Sequence, residues 1–237
     1  LPILKTTDQF GATLGSGTNP DPFAANLVLA VPMNGSNNGT TFTDQSAAIK
    51  GSGSAKAITR TGDTKTVTTK SNYYGSSASF DGSGDYITIA STSDLTFGSG
   101  DFTIEYWINT TDTNFNLMHP SGSSGAGYWG NIIQGSSFNW NNAYASANLW
   151  NVDAASILNG AWHHVAICKQ NGSFSVFFDG VSQPASGGSF RDTSNYDGSD
   201  SWRIGGGGNL SDFNGYLSDF RIYKGVAKYQ PEGSGSL

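Results

Sequence analysis

The chain has 237 residues, 32 of them glycine, about twice the usual share, and its charged fraction of 13% is about half the usual quarter. Twelve Lys and Arg against eighteen Asp and Glu leave a net charge of −6. That balance, with no basic cluster, excludes the electrostatic footprint of a nucleic-acid-binding protein. No apolar run approaches the length of a membrane-spanning helix, so no membrane insertion is expected. Only two glutamates occur, Glu105 and Glu232, and Ser, Thr, Asn and Gly dominate. These residues favour turns and strand surfaces over helices, and the chain reads as all-β.

Residues 1–25 carry Gly, Thr, Asn, Pro and Asp with scattered apolar groups, and read as an N-terminal arm that docks on a neighbour or stays mobile. The first strand is Asn26 to Met33, stopped by Asn34-Gly35. Tyr86 to Ala90 places Ile87 and Ile89 on one face. Along Phe102 to Asn109, Phe102, Ile104, Tyr106 and Ile108 share one face, while Glu105 and Trp107 share the other. Residues 111–159 show no clear periodicity and read as a long irregular insert rich in aromatic rings. Trp162 to Cys168 and Ser173 to Phe178 follow as strands, the latter turning at Asp179-Gly180. Gly215 to Tyr223 closes the domain, with Phe220 and Ile222 inward and Asp219, Arg221 and Tyr223 outward. Residues 230–237 read as a flexible C-terminal tail. Cys168 stands alone, so no internal disulfide forms, and its apolar strand predicts an inert buried thiol.

Five segments, in order, resemble the successive signatures of laminin-G-like, concanavalin A-like domains. They are Ala78 to Ile87, Gly100 to Trp107, Trp162 to Ala166, Val176 to Gly180 and Phe213 to Tyr223. The likeness spans residues 26–229. Asn26 to Gly35 together with Gly225 to Tyr229 is similar to the variant found in marine phage structural proteins. The resemblance implies a two-sheet antiparallel jelly-roll sandwich, a face that binds glycans or proteins, and commonly a calcium ion. It implies no single activity, because the fold hosts lectins, adhesion modules and glucanases alike.

A retaining glycosidase needs two carboxyls about 5 Å apart, and the matching strand offers Glu105 alone. His163 and His164 are adjacent, so on a strand they point to opposite faces and cannot serve one group together. For calcium, a hard cation that takes oxygen ligands, Asp219 sits at the position the resemblance implies, with Asn34 and Asp44 after the first strand as partners. The other reading of Asp219 is a surface ion pair with Arg221 or Lys224. Asp81, Asp85, Asp179, Asp197 and Asp200 lie in glycine-containing turns and read as turn chemistry.

Trp129, Trp140, Trp150, Tyr128 and Tyr144 lie among Asn131, Asn139, Asn141 and Asn142, which is the chemistry a sugar's apolar faces and hydroxyls want. Three readings of these rings stay open: glycan contact, subunit packing and cover of the sheet. The expectation is thus a non-enzymatic structural or adhesion protein on a virion or extracellular surface. It would be assembled as a homo-oligomer or in a larger particle. The alternative is a calcium-dependent carbohydrate-binding module of a secreted adhesin or polysaccharide-degrading enzyme.

Overall fold

The computed structural model describes residues 21–121, 129–142, 147–188, 190, 191, 196, 200–207 and 211–230. Two antiparallel sheets of eight strands each face one another. The first sheet holds β1 (Leu27–Val31), β3 (Lys65–Val67), β4 (Ser77–Asp81), β6 (Phe102–Asn109), β11 (His163–Gln170), β12 (Ser173–Phe178), β13 (Val181–Ser182) and β16 (Asn214–Lys224). The second holds β2 (Ile58–Thr61), β5 (Tyr86–Ile89), β7 (Asn114–Pro120), β8 (Trp129–Gln134), β9 (Ser137–Asn142), β10 (Ala147–Asp153), β14 (Gly187–Gly188) and β15 (Trp202–Ile204). Among the described residues one short α-helix, α1 (Ser46–Lys50), is closed by Gly51 at φ 75°, the left-handed position that glycine adopts without steric cost. Among the described residues no helix is long and apolar enough to cross a membrane.

The alternation read along β6 is the one that folds. Phe102, Ile104, Tyr106 and Ile108 join the core between the sheets, while Glu105 and Trp107 stay outside it. Strand β16 runs along β6 for its whole length, and its other edge is shared. Residues 214–217 pair with β4, and residues 220–223 pair with β1. At the change-over the register slips by one residue between Ser218 and Arg221, and Asp219 takes φ 52° with its N–H on the Pro32 carbonyl. This bulge lets both Leu217 and Phe220 face inward although they lie three residues apart.

The stretch 111–159, expected to be irregular, instead supplies β7 to β10, which pair in sequence and form half of the second sheet. Its rings are the heart of the core. Trp140 stacks on Trp150 at 5.9 Å, Trp129 meets Trp202 edge-on at 4.6 Å, and Phe102 of the opposite sheet stacks on Trp140 at 6.0 Å. Offset-stacked and edge-to-face rings at these separations add to the stabilisation from burial itself.

Residues 21–25, expected within the arm, and Asn26, expected to open the first strand, lie on the outer face of the first sheet. Asp21 accepts the Tyr223 hydroxyl at 2.6 Å, Phe23 packs against Leu27, Ala30 and Tyr223, and Asn26 donates to the Lys224 carbonyl at 2.9 Å. The rest of the expected arm, residues 1–20, and residues 231–237 of the expected tail lie outside the described residues.

Candidate functional site

Two of the three residues expected to hold calcium, Asp44 and Asp219, have their carboxylates engaged by protein groups. Asp44 is buried, and both of its oxygens are engaged. Its Oδ1 accepts the N–H groups of Ala30 and Ser46, and its Oδ2 accepts the Ser46 hydroxyl and the Lys56 N–H, at 2.8 to 3.0 Å. It fastens the loop after β1 to that strand. Asp219 does point outward and does meet the segment after β1, but its carboxylate takes the Arg221 Nε at 2.8 Å. Burial raises the Asp219 carboxyl while Arg221 pulls it down. The partner is the Arg221 of the other reading, but the pair is largely buried and not on the surface. Asn34 is half-buried beside Met33, whose φ is 59°.

The tryptophans expected at a recognition surface are interior. Trp129, Trp140 and Trp150 are 2%, 0% and 0% exposed, so the sheet-covering role is the one realised and no ring of the three presents a face to solvent. The reason is spacing: Phe138 and Trp140 on β9 sit opposite Val152 and Trp150 on β10, all on the inward face. Asn131 and Asn139 are buried beside them, and Asn131 accepts the Tyr106 hydroxyl at 3.0 Å. Asn141 and Asn142 lie on β9, their side chains outside the described set; Tyr128 and Tyr144 lie outside the described residues altogether.

Glu105 is equally committed. On the outer face of the first sheet, the segment 225–230 crosses over it, and Lys228 Nζ and the Tyr229 hydroxyl each donate to a different carboxylate oxygen at 2.7 Å. Thr103 Oγ1 ties the same segment down, donating to the Val226 carbonyl and accepting the Lys228 N–H, both at 2.9 Å. Burial alone would raise the Glu105 carboxyl; the Lys228 ammonium, with His164 and Arg221, outweighs it and holds the group at about 2. His163 is engaged elsewhere, between Asp179 at 2.7 Å and Asn159 at 3.0 Å. Cys168 is buried, and that burial pushes its thiol up to about 11.

A cleft of about 580 Å³ opens at one end of the sandwich. Five separate stretches line it: Lys70; Asp81 and Gly82 at the end of β4; 109–114 between β6 and β7; Gly160; and 211–216 leading into β16. Each carboxylate there pins a loop by accepting backbone N–H groups, as short acidic side chains do in turns. Asp112 accepts from Asn114 at 3.0 Å and Asn214 at 3.1 Å, and Asp212 accepts from Gly84 at 2.7 Å and Gly207 at 2.6 Å. Thr110 donates to the Asn214 carbonyl at 2.6 Å, and Asn109 donates to the Gly160 carbonyl at 2.8 Å. The walls are therefore fixed before any ligand arrives. Tyr216 lies in this wall, half-buried, with the Lys70 ammonium 6.0 Å from its ring centroid. One ring among amide, hydroxyl and carboxylate groups offers an apolar face beside hydrogen-bonding partners.

Asp81 also belongs to a second group. One oxygen each of Asp63, Asp81 and Asp85 lies within 4.8 Å of the others, the first two residues exposed and Asp85 buried. Asp85 holds the turn together, accepting from Asp63 N at 2.7 Å, Thr64 N at 3.0 Å and Asp81 N at 3.1 Å. Burial raises its carboxyl and these N–H bonds lower it; the charges of Asp81 and Asp63 raise it further. Three carboxylates so close are a donor set that fits a hard cation.

Comparisons with known proteins agree with this architecture. A laminin G-type family model, described as Concanavalin A-like lectin/glucanases superfamily, matches residues 81–229. No curated protein matches the sequence. Among solved structures, the chain is similar to the binding domain of Paraclostridial Mosquitocidal Protein 1 (14% identity, 86% of this chain and 50% of that one, TM-score 0.61). It is similar to a structure of botulinum neurotoxin type C, whose cell entry depends on interaction with two ganglioside molecules (13% identity, 86% and 49%, TM-score 0.61). Domain 4 of AbnA, an extracellular GH43 arabinanase from Geobacillus stearothermophilus in complex with arabinotriose, is also similar (14% identity, 85% and 94%, TM-score 0.55). This chain spans about half the length of the toxin chains it matches. At these identities the likeness is one of fold.

Proposed function

Because the chain belongs to the concanavalin A-like lectin/glucanase superfamily, we propose that it is a carbohydrate-binding module and that the end cleft at Tyr216 is its glycan site. The observation that carries this reading is the pre-set wall of Asn, Thr and Asp groups around one half-buried tyrosine ring. Such a wall offers both donors and acceptors to sugar hydroxyls and a flat apolar face to sugar C–H groups. The neighbours add support, since the arabinanase domain was solved with arabinotriose and the type C neurotoxin engages gangliosides. Holding is favoured over hydrolysis, because Glu105, the glutamate of β6, has both oxygens bound by the overlying segment. The phage-type resemblance of residues 26–35 and 225–229 supports a setting on a virion or other extracellular surface.

The calcium that the family resemblance implies would be held by Asp63, Asp81 and Asp85 rather than by Asp219, Asp44 and Asn34. An ion there would relieve the mutual repulsion of the three carboxylates and fix the border of the cleft through Asp81. The test of the glycan reading is a glycan-array screen followed by titration calorimetry on the hits. The wild type binds, and Tyr216→Ala and Asn114→Ala, both folded by circular dichroism, lose binding. A wild type that binds no glycan overturns the reading.

A further inference from the structure

We infer that the cleft continues onto the outer face of the first sheet as an aromatic subsite of Tyr73 and Trp107, so that the ligand is an extended oligosaccharide and not a single terminal sugar. This rests on the carbohydrate reading of the cleft and specifies its ligand further.

The continuity is set by register. On β6 and β16, Tyr216 lies opposite Asn109, and both line the cleft. One step along the same face, Ser218 lies opposite Trp107. Leu217, Tyr106 and Ile108 are in the core, so Tyr216, Ser218 and Trp107 lie on the other face of the sheet, Ser218 fully covered there and the two rings half-buried. Diagonal neighbours on one sheet face are about 7–8 Å apart, within reach of aromatic side chains. Tyr216 and Trp107 are such neighbours. Beyond them, the Tyr73 ring stands edge-on to Trp107, at 5.1 Å and 79°.

Tyr73 is 46% exposed, and among the described residues only Val181 is a more exposed large hydrophobic. Its exposure is not the result of a loose loop. Ser77 Oγ donates to the Lys70 carbonyl at 2.6 Å, Ser76 Oγ accepts the Gly35 N–H at 3.0 Å, and the neighbouring Tyr74 hydroxyl accepts from Arg221 at 3.5 Å. On the neighbouring strand β11, the His164 ring lies 5.2 Å from that of Trp107. Beyond His164, the half-exposed Asp179 accepts the His164 N–H at 2.8 Å. An aromatic pair at right angles, Tyr73 exposed and Trp107 half-buried, bordered by polar groups, stabilises a sugar unit by ring stacking and excludes water from its apolar face. Placed one lattice step from Tyr216, it is positioned to take further units of a chain whose first units occupy the cleft.

The experiment measures affinity of the full chain for xylo-, cello- and arabino-oligosaccharide ladders, and for ladders of any array hit, from one unit to six. The subsite predicts that the wild type gains roughly tenfold in affinity from the shortest to the longest member of the bound series. Tyr73→Ala, an exposed change that leaves folding intact, removes that gain and leaves the shortest member's affinity unchanged; Trp107→Ala does the same where it folds. Affinity independent of length, still abolished by Asn114→Ala, overturns the subsite and leaves the cleft reading standing. An undiminished gain in Tyr73→Ala also overturns it. A wild type that binds neither short nor long members overturns both.

Discussion

Glu105 shows how a residue with catalytic chemistry becomes structural. Its strand pattern sends it outward, yet Lys228 and Tyr229 close over it and bind both oxygens. Removing one partner of a buried ion pair strands the other, at a cost of about 3–5 kcal/mol. Glu105→Gln is therefore expected to lower the unfolding free energy by about that amount in urea titrations while leaving glycan affinity unchanged. The pH dependence has a definite sign. The folded carboxyl titrates at about 2, below its ordinary 4.5, so its contribution is complete above pH 4.5 and is lost as pH falls toward 2. Across that window the wild-type melting temperature should fall more steeply than that of Glu105→Gln, and parallel curves would refute the assignment. The outward direction of Glu105 was legible from alternation alone. Its cover was not, because the pairing with Lys228 joins positions 123 residues apart.

At the scale of elements, β6, β12 and β16 were readable because alternating apolar residues stand against polar ones. The bulge at Asp219 was not readable, since nothing local distinguishes a slipped register from a regular one. Strands β7 to β10 were obscured by composition. Their inward residues do alternate, as Phe138 and Trp140 and then Trp150 and Val152, but the Asn, Ser and Gly between them masked the period. That masking made interior rings read as surface rings. Trp140→Ala is accordingly expected to cost about 3–5 kcal/mol of stability, as large core truncations do, measured by denaturant unfolding. A loss of glycan binding with unchanged stability would restore the surface reading. The glycine at the end of β15 makes a related point about packing. Gly205 has φ +99°, and a Cβ there would fall 2.3 Å from the Phe80 ring, so the turn leading into the cleft accepts no side chain.

For the whole molecule, the jelly-roll class was legible from order and spacing, whereas the cleft was not. Its lining comes from five stretches, and each by itself looks like ordinary turn chemistry. Asp81, Asp112 and Asp212 gain a common meaning only when the loops of one end are brought together. The same convergence puts Asp63, Asp81 and Asp85 side by side. Calcium at millimolar excess over chelator should raise the melting temperature by several degrees, and Asp81→Asn should abolish the shift. An identical shift in Asp81→Asn would move the ion elsewhere. The account as a whole turns on whether a sugar occupies that end of the sandwich. Hydrogen–deuterium exchange with and without a bound oligosaccharide locates it. The account predicts protection in residues 109–114 and 211–216, extending to 70–75 with the longer ligand. Protection confined to residues remote from that end would contradict it.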